Sequence, residues 1–301
     1  MIYTRHFGLE SPPFTITPDT GFFFSGPSHQ EALNTLLIAI DSGEGFLKIT
    51  GEVGTGKTLI CRKLLSTLDD ENYVTAYIPN PYIGPMTLLL GIADELGIEY
   101  PGKLNQHELL KLFTMFLIKV ASQGRRAVVC LDEAQALPIE TLEALRLLTN
   151  LETEKRKLLQ VVLFGQPELN ARLSDPSIRQ LKQRIGFSCS LSPLAPAHMS
   201  AYVFHRLSVA GYSGPALFTV TALRQLYRAS RGVPRLINIL SHKALLAAFG
   251  EGCHQVDGHH IALAKRDTES VQVRSDWARI VRAILAVAAV SVSALAWSVW
   301  S

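Results

Sequence analysis

The stretch "GEVGTGKT" at residues 51–58 constrains this chain more than any other. Its pattern is G-x-x-x-x-G-K-T, with Gly51, Gly56, Lys57 and Thr58 at the fixed positions. Glycines let backbone N–H groups curl around phosphate oxygens, a lysine there neutralises the β- and γ-phosphates, and a threonine hydroxyl suits Mg²⁺. The octapeptide carries weight because of its setting. "FLKIT" (46–50) precedes it as a strand and "TLICRKLLSTL" follows as a helix, whose amino terminus adds a positive dipole. The residues expected to cradle a nucleotide are Gly51, Glu52, Val53, Gly54, Thr55, Gly56, Lys57, Thr58 and Leu59.

A second motif completes the first. "AVVCLDEAQ" puts Asp132 and Glu133 at the carboxyl end of an apolar, strand-like run. Two adjacent acids suit the crevice at strand ends of an α/β sheet far better than a core. Asp132 is expected to join Thr58 around Mg²⁺, and Glu133 to orient and deprotonate an attacking water. A solvated turn with Asp132 capping the next helix is the alternative.

Five segments rich in β-formers lie between helical patterns: residues 46–50, 74–78, 127–131, 159–164 and 187–191. Strands buried on both faces and alternating with helices predict a parallel sheet in an α/β domain. Ser28 is positioned to cap a first helix that ends near Gly43. After "SPLAPA" (192–197) strand-like runs cease, and helices are expected over 197–210, 220–231, 234–249 and 257–269. The predicted order is an aromatic and Pro-rich arm (1–28), a nucleotide-binding α/β domain (29–194), an all-helical lid domain (195–272) and a basic segment with a hydrophobic helix (273–301).

Apolar residues at 48% and charged residues at 18% exclude a disordered chain. A net charge of +3 permits an acidic partner without arguing for one. Cys61, Cys130, Cys189 and Cys253 are scattered without CxxC spacing, as expected of reduced thiols. The amino terminus lacks the basic-then-apolar pattern of a secretory leader.

With "LDEAQ" in view, residues 1 to about 270 resemble the AAA+ ATPases of the ExeA/GspA type, a secretion-linked group. The resemblance is carried by "FGLESPPFTITPDTGFFFSG", "GEGFLKITGEVGTGKT" and "LFGQPEL". "HQEALNTLLIAIDSGEGF" and "TGKTLICRKLL" are similar to the MSHA-type pilus branch of that group. The fold implied is a P-loop AAA+ five-stranded parallel sheet with flanking helices, a helical lid and a C-terminal transmembrane helix. The cofactors implied are ATP and Mg²⁺.

The resemblance also assigns roles. Gln166 in "LFGQPEL" is implied to be a polar sensor near the γ-phosphate, although a loop glutamine is as ordinary there. Asn80 in "YIPNP" is implied to hold Glu133 back, with a turn-forming Asn as the alternative. Arg179 and Arg184 precede the fifth strand, where the group carries an arginine finger for a neighbouring subunit, and Arg184 is the favoured one. "RGVPRLINIL" resembles the second sensor, with Pro234 in the first turn and Arg235 aimed at the phosphates.

Three segments stay open. "CHQVDGHH" (253–260) offers Cys253, His254, His259 and His260 to a metal, but a loop with Asp257 capping the last helix explains it as well. "LRQLYRASRGVPR" reads as a solvated basic face or, less readily, a DNA-facing patch, so nucleic acid is not the expected partner. The phenylalanines of "GFFFSG" suit the wall of an adenine pocket, with a partner-docking patch as the alternative.

Residues Ala283 to Trp300 carry no charge. As a helix they would span about 27 Å, close to a bilayer core. Arg274, Arg279 and Arg282 flank only the amino-terminal side, which places that side in the cytoplasm. A buried helix at a protein interface is the alternative. The expectation is a homo-oligomeric, Mg-dependent ATPase at the inner face of a bacterial inner membrane, serving an MSHA-type pilus or type II secretion-like machine. Two alternatives are a DNA-binding ATPase of the transposition-helper or initiator kind and an ATP-dependent switch that does not hydrolyse.

Overall fold

The computed structural model describes residues 2–80, 82–102, 104–152 and 157–268. The chain divides into two compact units. One is Thr17–Leu194, and the other joins residues 1–16 to the helical segment that starts at Ala195. The arm expected over residues 1–28 is thus shared between them.

In the first unit, β1 (Phe46–Gly51), β2 (Tyr73–Ile78), β3 (Arg126–Leu131), β4 (Leu159–Gly165) and β5 (Ile185–Leu191) form one sheet. Its order is β2-β3-β4-β1-β5, and every pairing is parallel. The central strands are buried on both faces. Ala127, Val129 and Leu131 of β3 face one core, while Val128 and Cys130 face the other. That two-sided burial is why these strands read as unbroken apolar runs.

Helix α1 (Pro27–Asp41) and helix α2 (Lys57–Thr67) cover one face. The other face is covered by α3 (Pro85–Leu96), α4 (Gln106–Ser122) and α5 (Ile139–Leu148). The first helix departs from expectation. It opens at Pro27 with Gly26 before it, not with Ser28 as its cap, because proline presets the dihedral of a first helical residue. Short helices α6 (Glu168–Arg172) and α7 (Arg179–Arg184) lead to β5, which starts two residues earlier than its sequence run implies.

The second unit holds α8 (Met199–Val209), α9 (Val220–Ser230), α10 (Pro234–Gly250) and α11 (Gly258–Arg266). Residues near the amino terminus are part of it: Phe14 packs edge-on against Phe218, and Arg206 donates to the Pro13 carbonyl from a buried position. Asp257 caps α11 by accepting from the backbone of His259 and His260. Among the described residues no helix is long and apolar enough to cross a membrane. The helix expected at 283–300 lies outside the described residues.

Candidate active site

The sheet order decides which strand ends meet. Because β4 lies between β1 and β3, the loops after all three open on one edge of the sheet. The phosphate loop follows β1, Asp132 and Glu133 follow β3, and Gln166 follows β4. Thr58 and Gln166, 108 residues apart in sequence, are therefore brought to one crevice, the usual place for ligands in open α/β sheets.

The loop from Gly51 to Leu59 has the shape its glycines predict. Gly54 and Gly56 adopt φ of 82° and 102°, a region that L side chains avoid. Gly51 makes a close approach, since a Cβ there would lie 2.8 Å from Thr55 Oγ1 and 3.0 Å from the Leu191 carbonyl. Thr55 closes the turn, its hydroxyl donating to the Glu52 carbonyl at 2.8 Å. Glu52 and Val53 are exposed at the rim, and Leu59 is half-buried in α2. The Lys57 ammonium is buried and donates to the carbonyls of Gly51 (2.8 Å) and Glu52 (3.1 Å). Burial pushes its pKa down, and the carboxylates of Glu133 and Asp132 partly offset that.

Thr58 and Asp132 meet directly: the Thr58 hydroxyl donates to Asp132 Oδ2 at 2.6 Å. Asp132 is 3% exposed, and its other oxygen accepts from the Glu133 backbone at 2.9 Å. Burial raises the Asp132 carboxyl, while the bonds from Thr58 and the Glu133 amide pull it back. A hydroxyl and a buried carboxylate side by side are hard oxygen donors of the kind Mg²⁺ prefers, and a cation there would offset the burial of the charge.

Glu133 sits in the left-handed region at φ 52°. Its Oε2 accepts from Gln135 Nε2 at 2.5 Å and from Gln166 Nε2 at 3.2 Å. The contact expected from Asn80 is not made. Asn80 is exposed, and its Oδ1 accepts from the Tyr82 backbone at 3.3 Å, so it shapes its own turn.

Arg184 lies at the opposite edge of the sheet. The residue after it, Ile185, pairs with Phe46 at the start of β1, about 16 Å of strand away from the phosphate loop. Its guanidinium donates weakly to the Thr149 carbonyl at 3.4 Å, and Arg179 is exposed on the same short helix. Arg184 thus lies at the end of the sheet opposite the phosphate loop. Arg235 occupies the first turn of α10 after Pro234 and is exposed there.

Two residues of the site have no role assigned from the sequence. His29, buried on the inner face of α1, has Nε2 2.7 Å from the Thr55 carbonyl. A histidine on the apolar stripe of an otherwise amphipathic helix is the trace it leaves. Gln135 bridges Glu133 and the end of β4, and its only trace is a polar residue two places after the acids.

The four residues offered by "CHQVDGHH" do not converge as a set. The His254 ring stacks on His6 with centroids 4.3 Å apart. Glu251, Cys253 and His260 do place ligand atoms within 4.8 Å of one another. Both ring nitrogens of His260 already face partners, Asp257 on one side and Glu251 on the other.

Comparison with known proteins agrees with this geometry. A family model described as an AAA domain matches residues 40–173. The chain is 44% identical over 276 residues to "General secretion pathway protein A" of Aeromonas hydrophila, covering 92% of this chain and 50% of that protein. It thus spans about half the length of the curated relative it matches. Among solved structures, the Aeropyrum pernix ORC1 protein in complex with DNA aligns at a TM-score of 0.61 and 18% identity, over 85% of this chain and 69% of that one. CDC6P from Pyrobaculum aerophilum aligns at 0.60 and 21%, over 80% and 68%. At those identities the likeness is one of fold. The phosphate loop and the paired acids both fall inside the AAA-domain match at residues 40–173, where they form the site of an AAA-type P-loop NTPase.

Proposed function

We propose that this chain binds Mg·ATP and hydrolyses it at the inner face of a bacterial cytoplasmic membrane, in support of an MSHA-type pilus or a type II secretion-like machine. The observation that carries the ATPase reading is the convergence of Lys57, the Thr58–Asp132 pair and Glu133 on one edge of the sheet. Backbone N–H groups from Gly51 to Leu59 bind the phosphates, and Lys57 leaves the Gly51 and Glu52 carbonyls to meet them. Thr58 and Asp132 would hold Mg²⁺, which when bound neutralises charge developing on the phosphate oxygens. Glu133 takes the proton of the attacking water, and Gln166 senses the γ-phosphate.

Arg184 acts on a neighbouring copy, so hydrolysis is completed by homo-oligomerisation. Its position at the far edge of the sheet supports a role in trans. Arg235 of the helical unit couples nucleotide state to that unit. The identity with a general secretion pathway protein supports a secretion-linked setting, and the sequence motifs favour the pilus branch. Residues 283–300 are proposed as the anchor and inner-membrane components as the partners. Nucleic acid is not among the proposed partners.

Alkaline extraction of membranes tests the anchored half of this proposal, with the full chain compared against residues 1–276. The full chain should stay in the pellet and the truncation should be released. If both are released, the tail is a protein interface, and salt-sensitive DNA binding becomes the reading to test. Turnover of ATP by the same preparations tests the other half. Nucleotide binding without turnover, even when the protein is concentrated, would leave an ATP-dependent switch.

A further inference from the structure

Glu133, Gln135 and Gln166 form a closed ring of side-chain and backbone hydrogen bonds. Gln135 donates its amide to Glu133 Oε2 at 2.5 Å, and its carbonyl oxygen accepts from the Gln166 backbone N–H at 2.9 Å. The Gln166 amide closes the ring on the same Glu133 oxygen at 3.2 Å. The two ends of the Gln135 amide are chemically distinct, and each faces the partner it requires: donor to carboxylate, acceptor to N–H.

The ring is built into the fold. A single 3-10 turn over Ala134–Ala136 carries Gln135, closed by Ala136 N–H to the Glu133 carbonyl at 2.9 Å. Ala134 and Leu137 on either side are fully buried and fix that turn on the core. Gly165 leaves the space: a Cβ there would sit 3.3 Å from Gln135 Oε1 and 2.8 Å from Leu169 Cδ2. The side chain of Gln135 is therefore received at the end of β4, between the strand that carries Glu133 and the strand that carries the phosphate loop.

We propose that Gln135 is a positioning residue that holds Glu133 in a resting pose and frees it when the end of β4 shifts. This inference rests on the reading of Glu133 as the group that takes the proton from water. Two amide donors on Oε2 fix the rotamer of the carboxylate and occupy the lone pairs of that oxygen. Lys57 is also turned back onto carbonyls of its own loop, which marks the whole arrangement as the resting one. A phosphate oxygen that engages the Gln166 amide would draw Gln166 away from Glu133 and, through the backbone N–H, pull on Gln135. The nucleotide is then read and the base released by one displacement. This places the restraint on Glu133 two residues away in sequence, where Asn80 makes no such contact.

The test is steady-state ATP hydrolysis by the full chain and by Gln135→Ala, with Gln135→Asn as a second variant. Asparagine keeps the amide but is one methylene too short to span both partners. Losing a hydrogen bond to a charged group that is shared with Gln166 should raise kcat about three- to tenfold. KM for ATP should not change, and the double variant Gln135→Ala/Glu133→Gln should lose turnover. A structural lesion would lower kcat and the melting temperature together, so a rise in kcat separates the two. Unchanged or reduced kcat in both single variants overturns the proposal. So does a raised kcat that survives in the double variant, because Gln135 would then not act through Glu133. Failure of the underlying ATPase reading is recognisable on its own, as absence of turnover in the wild-type chain and in every variant, and it overturns this proposal as well.

Discussion

The Thr58 hydroxyl and the Asp132 carboxylate, 74 residues apart in sequence, are joined by a 2.6 Å hydrogen bond across the end of β4. The bond ties the first turn of α2 to the end of β3, and the carboxylate it uses is almost wholly buried. A charge kept there without a cation costs stability.

That cost has a sign and a pH window. Burial raises the Asp132 carboxyl above its ordinary value of 3.8. Protonation therefore favours the fold: the contribution is complete below 3.8 and disappears as pH rises through the raised value. At neutral pH the ionised group is a liability, and Asp132→Asn should relieve it, its amide oxygen accepting from the Glu133 N–H and its amide nitrogen donating to the Thr58 hydroxyl. We expect a gain on the order of 1 kcal/mol, or about 2–4 °C in Tm, without added nucleotide, together with loss of Mg²⁺-dependent turnover. Thermal melts at pH 7 with and without Mg·ATP check both parts. A lower Tm in the variant would contradict the burial argument.

His29 gives the opposite dependence. Burial lowers its pKa below 6.5 even though its bond to the Thr55 carbonyl acts the other way. The fold binds the neutral ring, so its stability is present above 6.5 and declines as pH falls through the depressed value. His29→Gln, which can still donate to Thr55, should lose that decline below pH 6.5. His29→Ala should weaken ATP binding about tenfold by loosening the phosphate loop. Melting curves across that range and nucleotide titrations measure the two effects, and parallel pH curves for wild type and His29→Gln would count against the assignment.

Gly56→Ala tests the geometry of the loop itself. The new Cβ would sit at φ 102° and 2.9 Å from His29 Nε2. Both effects oppose the loop, and a loss of about 1–3 kcal/mol is expected with ATP binding abolished. Denaturant titration against wild type reads the first and equilibrium binding the second.

Arg184 should matter only between copies. Arg184→Ala should retain ATP affinity and lose about 10³-fold or more in turnover. Mixing it with Glu133→Gln, itself inactive, should restore activity, because one copy keeps an intact site and the other an intact arginine. Two variants that stay inactive when mixed would remove Arg184 from that role.

Much of the sheet is legible in the sequence because β3 and β4 are covered on both faces and must be continuously apolar. β5 is an edge strand with alternate residues exposed, so "IGFSCSL" loses its first two residues to the pattern of the preceding helix. The packing of Phe14 against Phe218 is not legible at all, since it joins segments with no local signal of each other. The phosphate loop and the paired acids are readable because their chemistry demands particular residues at particular spacings. Gln135 and His29 are not, because an amide or an imidazole that works through a neighbour's carboxylate or carbonyl needs only to be near it in space.

If Glu133 takes the proton from the attacking water in an ATP-hydrolysing site, Glu133→Gln should retain its nucleotide unhydrolysed. The amide preserves the shape of the side chain and the bonds of the phosphate loop but cannot accept that proton. ATP should be bound with wild-type affinity and recovered intact, with turnover lower by about 10²-fold or more. ATP recovered as ADP at the wild-type rate would contradict that role for Glu133.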